Sequence, residues 1–216
     1  MEVSNWITSY LIFLFTFTTS SIFCFFCDCM INKKHLEKKV IKSTREELLN
    51  QYKFILPRVC FNTYIIIPIF FYYSDKIIVY NPEFIYIDFV MQILEALVLI
   101  DVFFYLTHRS MHFSKLYRWS HKIHHRFNKP VGMEAIYHHW FDLIYSNLLP
   151  IFLSLWVLPS KNVYTWYFWV FMSTAITVLH SHSGWSNTGH NDHHKFNKVH
   201  YGVGLFMDRL FDTEIQ

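Results

Sequence analysis

Residues 3–27 form a long stretch without a single charged side chain. A helix of about 20 apolar residues crosses the hydrocarbon core of a bilayer, so this stretch is long enough to span it. The whole composition agrees, since 53% of the residues are hydrophobic and only 16% are charged, against about 25% in ordinary soluble domains. A cleaved signal peptide is the alternative, but no basic segment precedes the stretch and no small-residue cleavage site follows it. We therefore interpret residues 3–27 as a membrane anchor.

Four more apolar stretches follow this anchor. Residues 54–73 and 84–107 are separated by a short connection that is rich in turn-forming residues. Residues 143–159 and 163–179 lie near the lower length limit for a span, and they predict a tight helical hairpin. The sequence therefore predicts an all-α integral membrane bundle of about four to five spans.

Basic residues predict which side of the membrane the connecting segments occupy. The segment from Ile31 to Lys53 carries seven Lys or Arg residues against three Glu, and residues 108–140 carry six against the single acid Glu134. Because Lys and Arg are enriched in cytosolic loops, both segments are expected on the cytosolic side. The net charge of +3 is too small to favour a nucleic-acid partner.

Histidine is concentrated in the second half of the chain. Thirteen of the fourteen histidines lie at or after position 108, and the segment from His108 to His125 holds five of them. An HxxxH pair begins at His108, and an HxxHH triplet at His121 recurs at His190. Residues three and four positions apart share one face of a helix, so each set can direct several imidazoles to one point. The three sets therefore indicate metal ligands in a cytosolic cap on the bundle.

The number of histidines predicts how many metal ions the chain holds. A mononuclear zinc site uses three or four protein ligands, whereas this sequence offers ten candidates: His108, His112, His121, His124, His125, His139, His182, His190, His193 and His194. Ten imidazoles suit two octahedral ions with about five nitrogen ligands each. Imidazole binds iron, zinc, copper and nickel, so the ligand type leaves the metal open. If the site activates dioxygen, zinc is excluded because it has no redox chemistry, and iron is expected.

These segments resemble the fatty acid hydroxylase superfamily of membrane di-iron oxygenases, whose histidine boxes run HxxxH, HxxHH and HxxHH. The resemblance is strongest to the C-4 methylsterol monooxygenase branch of this superfamily. It rests on DVFFYLTHRSMH, HKIHH and PVGMEAIYHHWFD, followed by HSGW, HNDHH and DRLFDT. It covers about Asp101 to Thr213, and it divides the chain into an anchor with a basic segment, residues 1–83, and a hydroxylase-like di-iron domain, residues 84–216.

The resemblance implies that the histidines of the three boxes bind two iron ions, with His139 and His182 as additional ligands. It also implies an oxygenase that acts with dioxygen on a C–H bond of a membrane lipid, either a sterol C-4 methyl group or an acyl or alkyl chain. The sequence lacks a haem-binding, dinucleotide-binding or ferredoxin motif. Electrons are therefore expected from a separate donor, such as cytochrome b5 or an NAD(P)H-dependent reductase. We expect the protein in the endoplasmic reticulum, with its metal site facing the cytosol.

Residues around the histidine boxes are assigned supporting roles. Asp101 precedes His108 by seven positions, about two helical turns, and is expected to accept a hydrogen bond from a ligand imidazole. The segment from Pro130 to Asp142 lies between the second box and the next span, where a lipid would enter. Together with a tryptophan near the third box it supplies the expected substrate contacts, Met133, Tyr137, Trp140 and Trp185.

Two other functions remain open from the sequence. A desaturase would use the same type of centre but would leave a double bond in the lipid instead of adding oxygen. A non-catalytic membrane protein with a structural zinc cluster would contain zinc and would consume no oxygen.

Overall fold

Long helices account for most of the chain, as its apolar stretches predict. The computed structural model describes residues 4–34, 45–128, 130–159, 161–182 and 189–215. These ranges contain helices, turns and one isolated bridge between Asn81 and Asn162, and they contain no strand. The predicted all-α helical bundle is therefore confirmed. Trp185 and much of the predicted basic segment lie outside the described residues.

The first half of the chain supplies the long apolar helices. Helix α1 covers Asn5–Lys34, α2 covers Arg45–Phe61, α3 covers Ile67–Ile77, and α4 covers Tyr86–Met111. A π-helical turn at Asn62–Ile66 joins α2 to α3 into one continuous helix.

Three helical stretches in the described residues are long and apolar enough to cross a membrane. They are Asn5–Cys29, Glu46–Ile77 and Tyr86–Met111. Each covers all or nearly all of one of the first three predicted spans, so the chain is an integral membrane protein.

The predicted helical hairpin also forms. Its first arm consists of α6 at Trp140–Asp142, a π-helical segment at Leu143–Leu148, and α7 at Leu149–Trp156. Its second arm is α8 at Val163–Ile176, which continues as a π-helical turn through Thr177–Ser181.

Proline explains where two of the π-helical turns occur. Pro68 lies in the first turn of α3 and Pro150 in the first turn of α7, and a π-helical segment directly precedes each helix. A proline has no backbone N–H and removes one bond from the α-helical ladder, so the turn before it is free to widen. Both breaks keep the polypeptide helical while changing the direction in which its side chains point.

Buried polar contacts fix how the membrane helices pack. Helix α1 packs against α3 and α8, and α4 packs against α7. The indole N–H of Trp166 donates to the hydroxyl of Ser9 at 2.9 Å, and Trp169 donates to the carbonyl of Ile151 at 2.9 Å. Satisfying these groups inside the bundle matters because the bilayer core offers no water as a partner.

Short helices after α4 carry the two HxxHH boxes, while the HxxxH box lies at the end of α4 itself. The short helices are α5 at Ser114–Trp119, a 3-10 helix at His121–Arg126, a second 3-10 helix at Gly132–Ile136, α9 at Gly189–Phe196, and α10 at Met207–Leu210. Gly132 allows the second 3-10 helix to lie directly on α1, because a Cβ atom there would stand 2.7 Å from Cβ of Cys24. The short helices thus pack on one end of the bundle, where α4 ends.

Candidate metal centre

Nine of the ten predicted ligand histidines converge in two groups beside the end of α4. Within each group the candidate ligand atoms all lie within 4.8 Å of one another. The first group contains His108, His112, His121, His125 and His193, and the second contains His124, His182, His190 and His194. Both groups combine residues from the middle of the chain with residues from α9. The structure therefore brings together the two HxxHH triplets, as the predicted topology requires.

Four Nε2 atoms of the first group form a closed ring of short contacts, here called the nitrogen ring. Its sides measure 3.1 Å from His112 to His193, 3.1 Å from His193 to His125, 3.1 Å from His125 to His121, and 3.0 Å from His121 to His112. Four such contacts cannot all be ordinary hydrogen bonds, because each Nε2 of a neutral imidazole carries either one proton or one lone pair and not both. An ion at the centre of this ring would lie about 2 Å from each nitrogen, close to the usual metal–imidazole distance of about 2.1 Å. The arrangement therefore fits four ligands of one metal ion.

His108 completes the first group from the last turns of α4. Its Nδ1 atom lies 2.9 Å from the carbonyl oxygen of Tyr201 and donates to it when that nitrogen carries the proton. The lone pair is then on Nε2, which can bind the ion as a fifth ligand. The Nδ1 atom of His193 is held in the same way by the carbonyl of Val199, at 2.5 Å. Such hydrogen bonds fix the tautomer and the ring orientation of a metal ligand.

The second group has the buried, unpartnered nitrogens that a metal site requires. His182 and His190 place their Nε2 atoms 3.2 Å apart, and Nδ1 of His182 is held by the carbonyl of Thr177 at 2.9 Å. Both ring nitrogens of His194 and Nδ1 of His124 are buried without a hydrogen-bond partner among the described residues. Buried polar atoms are rarely left unsatisfied. The four converging imidazoles, two of which have unpartnered buried nitrogens, therefore fit a second metal ion.

Each HxxHH triplet divides its histidines between the two groups. In the first triplet His121 and His125 join the first group while His124 joins the second. In the triplet of α9, His190 and His194 join the second group while His193 joins the first. The sequence analysis expected each triplet to point to one place, and this was wrong. Neighbouring residues on a helix project about 100° apart, so the adjacent histidines of each triplet reach two different groups.

Asp142 anchors one ligand of the first group. Its carboxylate accepts hydrogen bonds from Nδ1 of His121 at 3.0 Å and from Nδ1 of His138 at 2.9 Å. The hydroxyl of Ser146 donates to the other carboxylate oxygen at 2.6 Å. A carboxylate on the far nitrogen of a ligand imidazole orients the ring and increases its basicity.

Burial keeps the ligand histidines neutral. Desolvation, followed by the repulsion of neighbouring imidazoles, lowers the pKa of His124 and His125 well below the ordinary value. The same causes lower the pKa of His190, His193 and His194. Only a neutral imidazole has a lone pair for a metal, so the uncharged state is the one that binds an ion.

His139 is the one predicted ligand that lies outside both groups. It is only partly buried, its ring packs 4.9 Å from that of Trp119, and its Nδ1 accepts from the N–H of Phe141 at the start of α6. The buried neighbour is instead His138, whose ring stacks on His124 at 3.9 Å. The two adjacent histidines project in different directions, and the pattern of the sequence alone did not distinguish them.

Asp101 supports the centre differently from the prediction. Its carboxylate accepts hydrogen bonds from the backbone N–H groups of Val203, Phe206 and Met207 and not from a ligand imidazole. The α4 helix directs this side chain toward the C-terminal segment. Backbone N–H groups of that segment donate hydrogen bonds to both carboxylate oxygens. Asp101 is fully buried by these contacts.

A cavity of about 450 Å³ adjoins both histidine groups. His108, His121, His124 and His190 form one part of its wall. Apolar and small side chains of α4, α7 and α8 also line it, including Leu97, Ile100, Phe104, Ile151, Trp169, Ser173 and Ile176. The two histidine groups are therefore accessible to a bound molecule of moderate size.

The three expected substrate residues that the structure describes, Met133, Tyr137 and Trp140, do not line this cavity. Met133 is partly buried against the core, and Tyr137 is buried beside Phe127. Trp140 is 46% exposed on the surface. The segment from Pro130 to Asp142 contributes His138 to the cavity wall, because its other side chains pack into the bundle or face outward. Trp185 lies outside the described residues.

Curated proteins related to this chain include enzymes named for lipid oxidation. Fatty acid hydroxylase ahd1 of Mycosarcoma maydis is 31% identical over 57% of this chain and 33% of its own length. Human fatty acid hydroxylase domain-containing protein 2 is 30% identical over 82% of this chain and 52% of its own length. Rat methylsterol monooxygenase 1 is 28% identical over 54% of this chain and 44% of its own length. The chain thus spans about half or less of the length of these relatives.

The family comparison covers the region that builds both histidine groups. No solved structure matches the chain significantly. The fatty acid hydroxylase family matches residues 93–213, which include all nine converging histidines, Asp101 and Asp142. This confirms the resemblance that the histidine boxes indicated, and the chain belongs to the fatty acid hydroxylase family.

Proposed function

We propose that this chain is a lipid hydroxylase or oxidase that uses dioxygen and two iron ions. The observation that carries the proposal is the placement of two histidine groups in the wall of a cavity of about 450 Å³. A structural metal site is closed by its ligands, whereas a catalytic site keeps an accessible position. The cavity gives the two ions access to a substrate, which favours catalysis over the structural zinc cluster.

The two histidine groups would hold the two ions, and the chain would tune them through Asp142, Tyr201 and Val199. Iron bound there would supply the redox chemistry that reduces dioxygen, which zinc lacks. Hydroxylation consumes one dioxygen, two electrons and two protons, and it yields a hydroxylated lipid and one water. The apolar wall formed by α4 and α8 would hold the lipid and limit access of bulk water to the reacting C–H bond.

A sterol with a C-4 methyl group is our candidate substrate, and an acyl or alkyl lipid is the alternative. The cavity volume lies within the usual range of small-molecule sites, about 300 to 1,000 Å³. Relatives named as methylsterol monooxygenases and as a fatty acid hydroxylase support both substrate classes. The experiment is expression in a cell that lacks its own C-4 methylsterol oxidase, with the sterols analysed by mass spectrometry. Loss of accumulated 4,4-dimethylsterols is expected, and their persistence beside iron-loaded, reductant-supplied protein would contradict the sterol assignment.

Labelled dioxygen separates the possible reactions. With ¹⁸O₂, a hydroxylase incorporates one labelled oxygen atom into the lipid. A desaturase would leave a double bond and no label in the product. A structural zinc protein would consume no oxygen with any reductant.

Exposed basic residues beside the first triplet favour binding of an external electron donor. Lys115, Arg118, Lys122 and Arg126 are exposed on the segment that carries the first triplet. Their positive charge would attract an acidic electron carrier, such as cytochrome b5 or a reductase, to the histidine groups. If so, electron transfer should slow as the ionic strength rises.

We further propose that the metal site faces the cytosol, in the endoplasmic reticulum. Lys122 and Lys198 are both exposed beside the two triplets. Cysteines introduced at these two positions should react with a membrane-impermeant reagent from the cytosolic side. Labelling from the lumenal side would overturn the proposed orientation.

A further inference from the structure

The segment from Val199 to Met207, here called the C-terminal loop, connects α9 to α10 and contacts the first histidine group. The carbonyl of Tyr201 holds Nδ1 of His108 at 2.9 Å, and the carbonyl of Val199 holds Nδ1 of His193 at 2.5 Å. Two of the five candidate ligands of one ion thus depend on backbone atoms of this loop for their orientation. The position of the loop therefore affects the geometry of the metal site.

Two buried carboxylates hold the C-terminal loop in place. Asp101 accepts from the N–H of Val203 at 2.9 Å and from those of Phe206 and Met207 at 2.8 Å each. Asp208 accepts from the N–H of Tyr201 at 2.7 Å and from that of Gly202 at 2.8 Å, and its Oδ1 also accepts from the hydroxyl of Thr213. Hydrogen bonds to a charged acceptor are stronger than neutral ones. Five backbone donors on two carboxylates make a rigid attachment.

Gly202 shows how closely the loop approaches both anchors. A Cβ atom at this position would stand 2.7 Å from Oδ1 of Asp101 and 2.9 Å from Oδ2 of Asp208. A side chain there would push the loop away from both carboxylates. The attachment therefore depends on a residue without a side chain as well as on the two acids.

The same loop forms part of the wall of the large cavity. Gly202, Val203, Gly204 and Leu205 line it, as do side chains of α4 and α8. A movement of the loop would change both the ligand geometry and the shape of the cavity. Metal binding and lipid binding are thus linked through one short segment.

We propose that Asp101 is a positioning residue that acts on the metal centre through the C-terminal loop. Its carboxylate holds the loop, the loop carbonyls orient His108 and His193, and the loop closes one wall of the cavity. Asp208 supports the same loop from its other side. This inference rests on the proposed metal-dependent function, but it assigns Asp101 a role that does not involve direct contact with an imidazole, a metal ion or the lipid.

The test compares Asp101→Asn with Glu95→Gln in the full chain. The asparagine has the same shape, but its NH2 group replaces one of the oxygens that accept backbone N–H groups. Glu95 is an exposed acid on the same helix and serves as the matched control. We expect cobalt(II) affinity to fall about 10-fold or more in Asp101→Asn, the visible spectrum of bound cobalt(II) to change, and the KM for the lipid to rise. Glu95→Gln should match the unsubstituted protein in all three.

A purely structural role would give a different result. It would lower the melting temperature of Asp101→Asn but leave the cobalt(II) spectrum and affinity of the folded fraction unchanged, and this would overturn the inference. Gly202→Ala provides a second route, since it displaces the loop while keeping both acids and every histidine. It should alter the cobalt(II) spectrum in the same direction, and an unaltered spectrum would also count against the inference. If the unsubstituted protein bound no cobalt(II), the proposed metal-dependent function itself would fail.

Discussion

The carboxylate of Asp142 lies 3.0 Å from Nδ1 of His121, whose Nε2 belongs to the nitrogen ring of the first histidine group. Both side chains are almost completely buried. The carboxylate therefore holds the imidazole with its Nε2 lone pair directed into that ring.

Replacing Asp142 by asparagine should weaken metal binding. The neutral amide would no longer increase the basicity of His121, and loss of such partners typically lowers metal affinity about 10- to 100-fold. Iron(II) titration of the purified protein measures the change. Asp88→Asn is the control, because Asp88 is exposed in the first turn of α4. Equal iron(II) affinity in the Asp142 and Asp88 variants would show that the contact does not tune the site.

The His193→Ala and His139→Ala variants should differ in how much metal they bind. His193 supplies one Nε2 of the nitrogen ring, so the His193→Ala variant should lose activity and at least one bound metal ion per chain while still inserting into membranes. His139 lies outside both groups, so its alanine variant should keep its metal. Metal content by mass spectrometry, with membrane fractionation as a check on insertion, decides the question. Metal loss in His139→Ala would restore the ligand role that the family resemblance implies.

Narrowing the large cavity should impair lipid binding without affecting the metal. Ser173 lines the cavity from α8, and Ser173→Leu adds three carbon atoms there. We expect the KM for the lipid to rise about 10-fold or more, since misfit in an apolar pocket costs about 1 to 3 kcal/mol. The control is Trp140→Ala, which removes an exposed side chain that the sequence analysis placed in the substrate path. A larger rise in the KM for the lipid in Trp140→Ala than in Ser173→Leu would favour the prediction that Trp140 contacts the substrate.

Glu134 should make the stability of the protein depend on pH. It is fully buried, it accepts from Nε2 of Gln51 at 2.5 Å, and burial raises the pKa of its carboxyl to about 8. The folded state keeps this proton up to about pH 8, whereas the unfolded chain releases it near pH 4.5. The free energy of unfolding should therefore fall as the pH rises through this window, by up to about 1.4 kcal/mol for each pH unit.

Thermal unfolding in detergent between pH 5 and 8 measures this effect. Glu134→Gln keeps a side chain of similar shape that cannot ionise, so its melting temperature should fall less across the window. Glu83→Gln, at an exposed position, should retain the pH dependence of the unsubstituted protein. An identical pH dependence in the Glu134 and Glu83 variants would place the titrating group elsewhere.

Much of the fold followed from the sequence because a bilayer restricts the possible structures. The uncharged stretch at residues 3–27 and the apolar stretches after it had to become helices, since only helices and closed barrels satisfy their backbone within the membrane. The positions of the π-helical turns before Pro68 and Pro150 were not predicted. Proline indicates a disturbed helix, but the local sequence does not say whether the helix bends, ends or widens.

The membership of the histidine groups was predicted better than their arrangement. Spacing identified eight of the nine residues that converge, because the boxes combine a membrane topology with helical periodicity, and the family resemblance added His182. It failed to show that each triplet serves both groups, and it favoured His139 over His138. Both results depend on how each short helix is oriented in the folded protein, which local spacing does not determine. The local pattern also missed the role of Asp101, whose partners lie about 100 residues away along the chain.

Metal analysis of protein purified anaerobically tests the central claim most directly. Two groups of converging imidazoles should bind about two iron ions per chain, and the iron-loaded protein should consume dioxygen continuously only when both a lipid substrate and a reductant are present. The His193→Ala and His124→Ala variants should each contain less iron than the unsubstituted protein. About two zinc ions per chain, with no oxygen consumption under any reducing condition, would contradict the account.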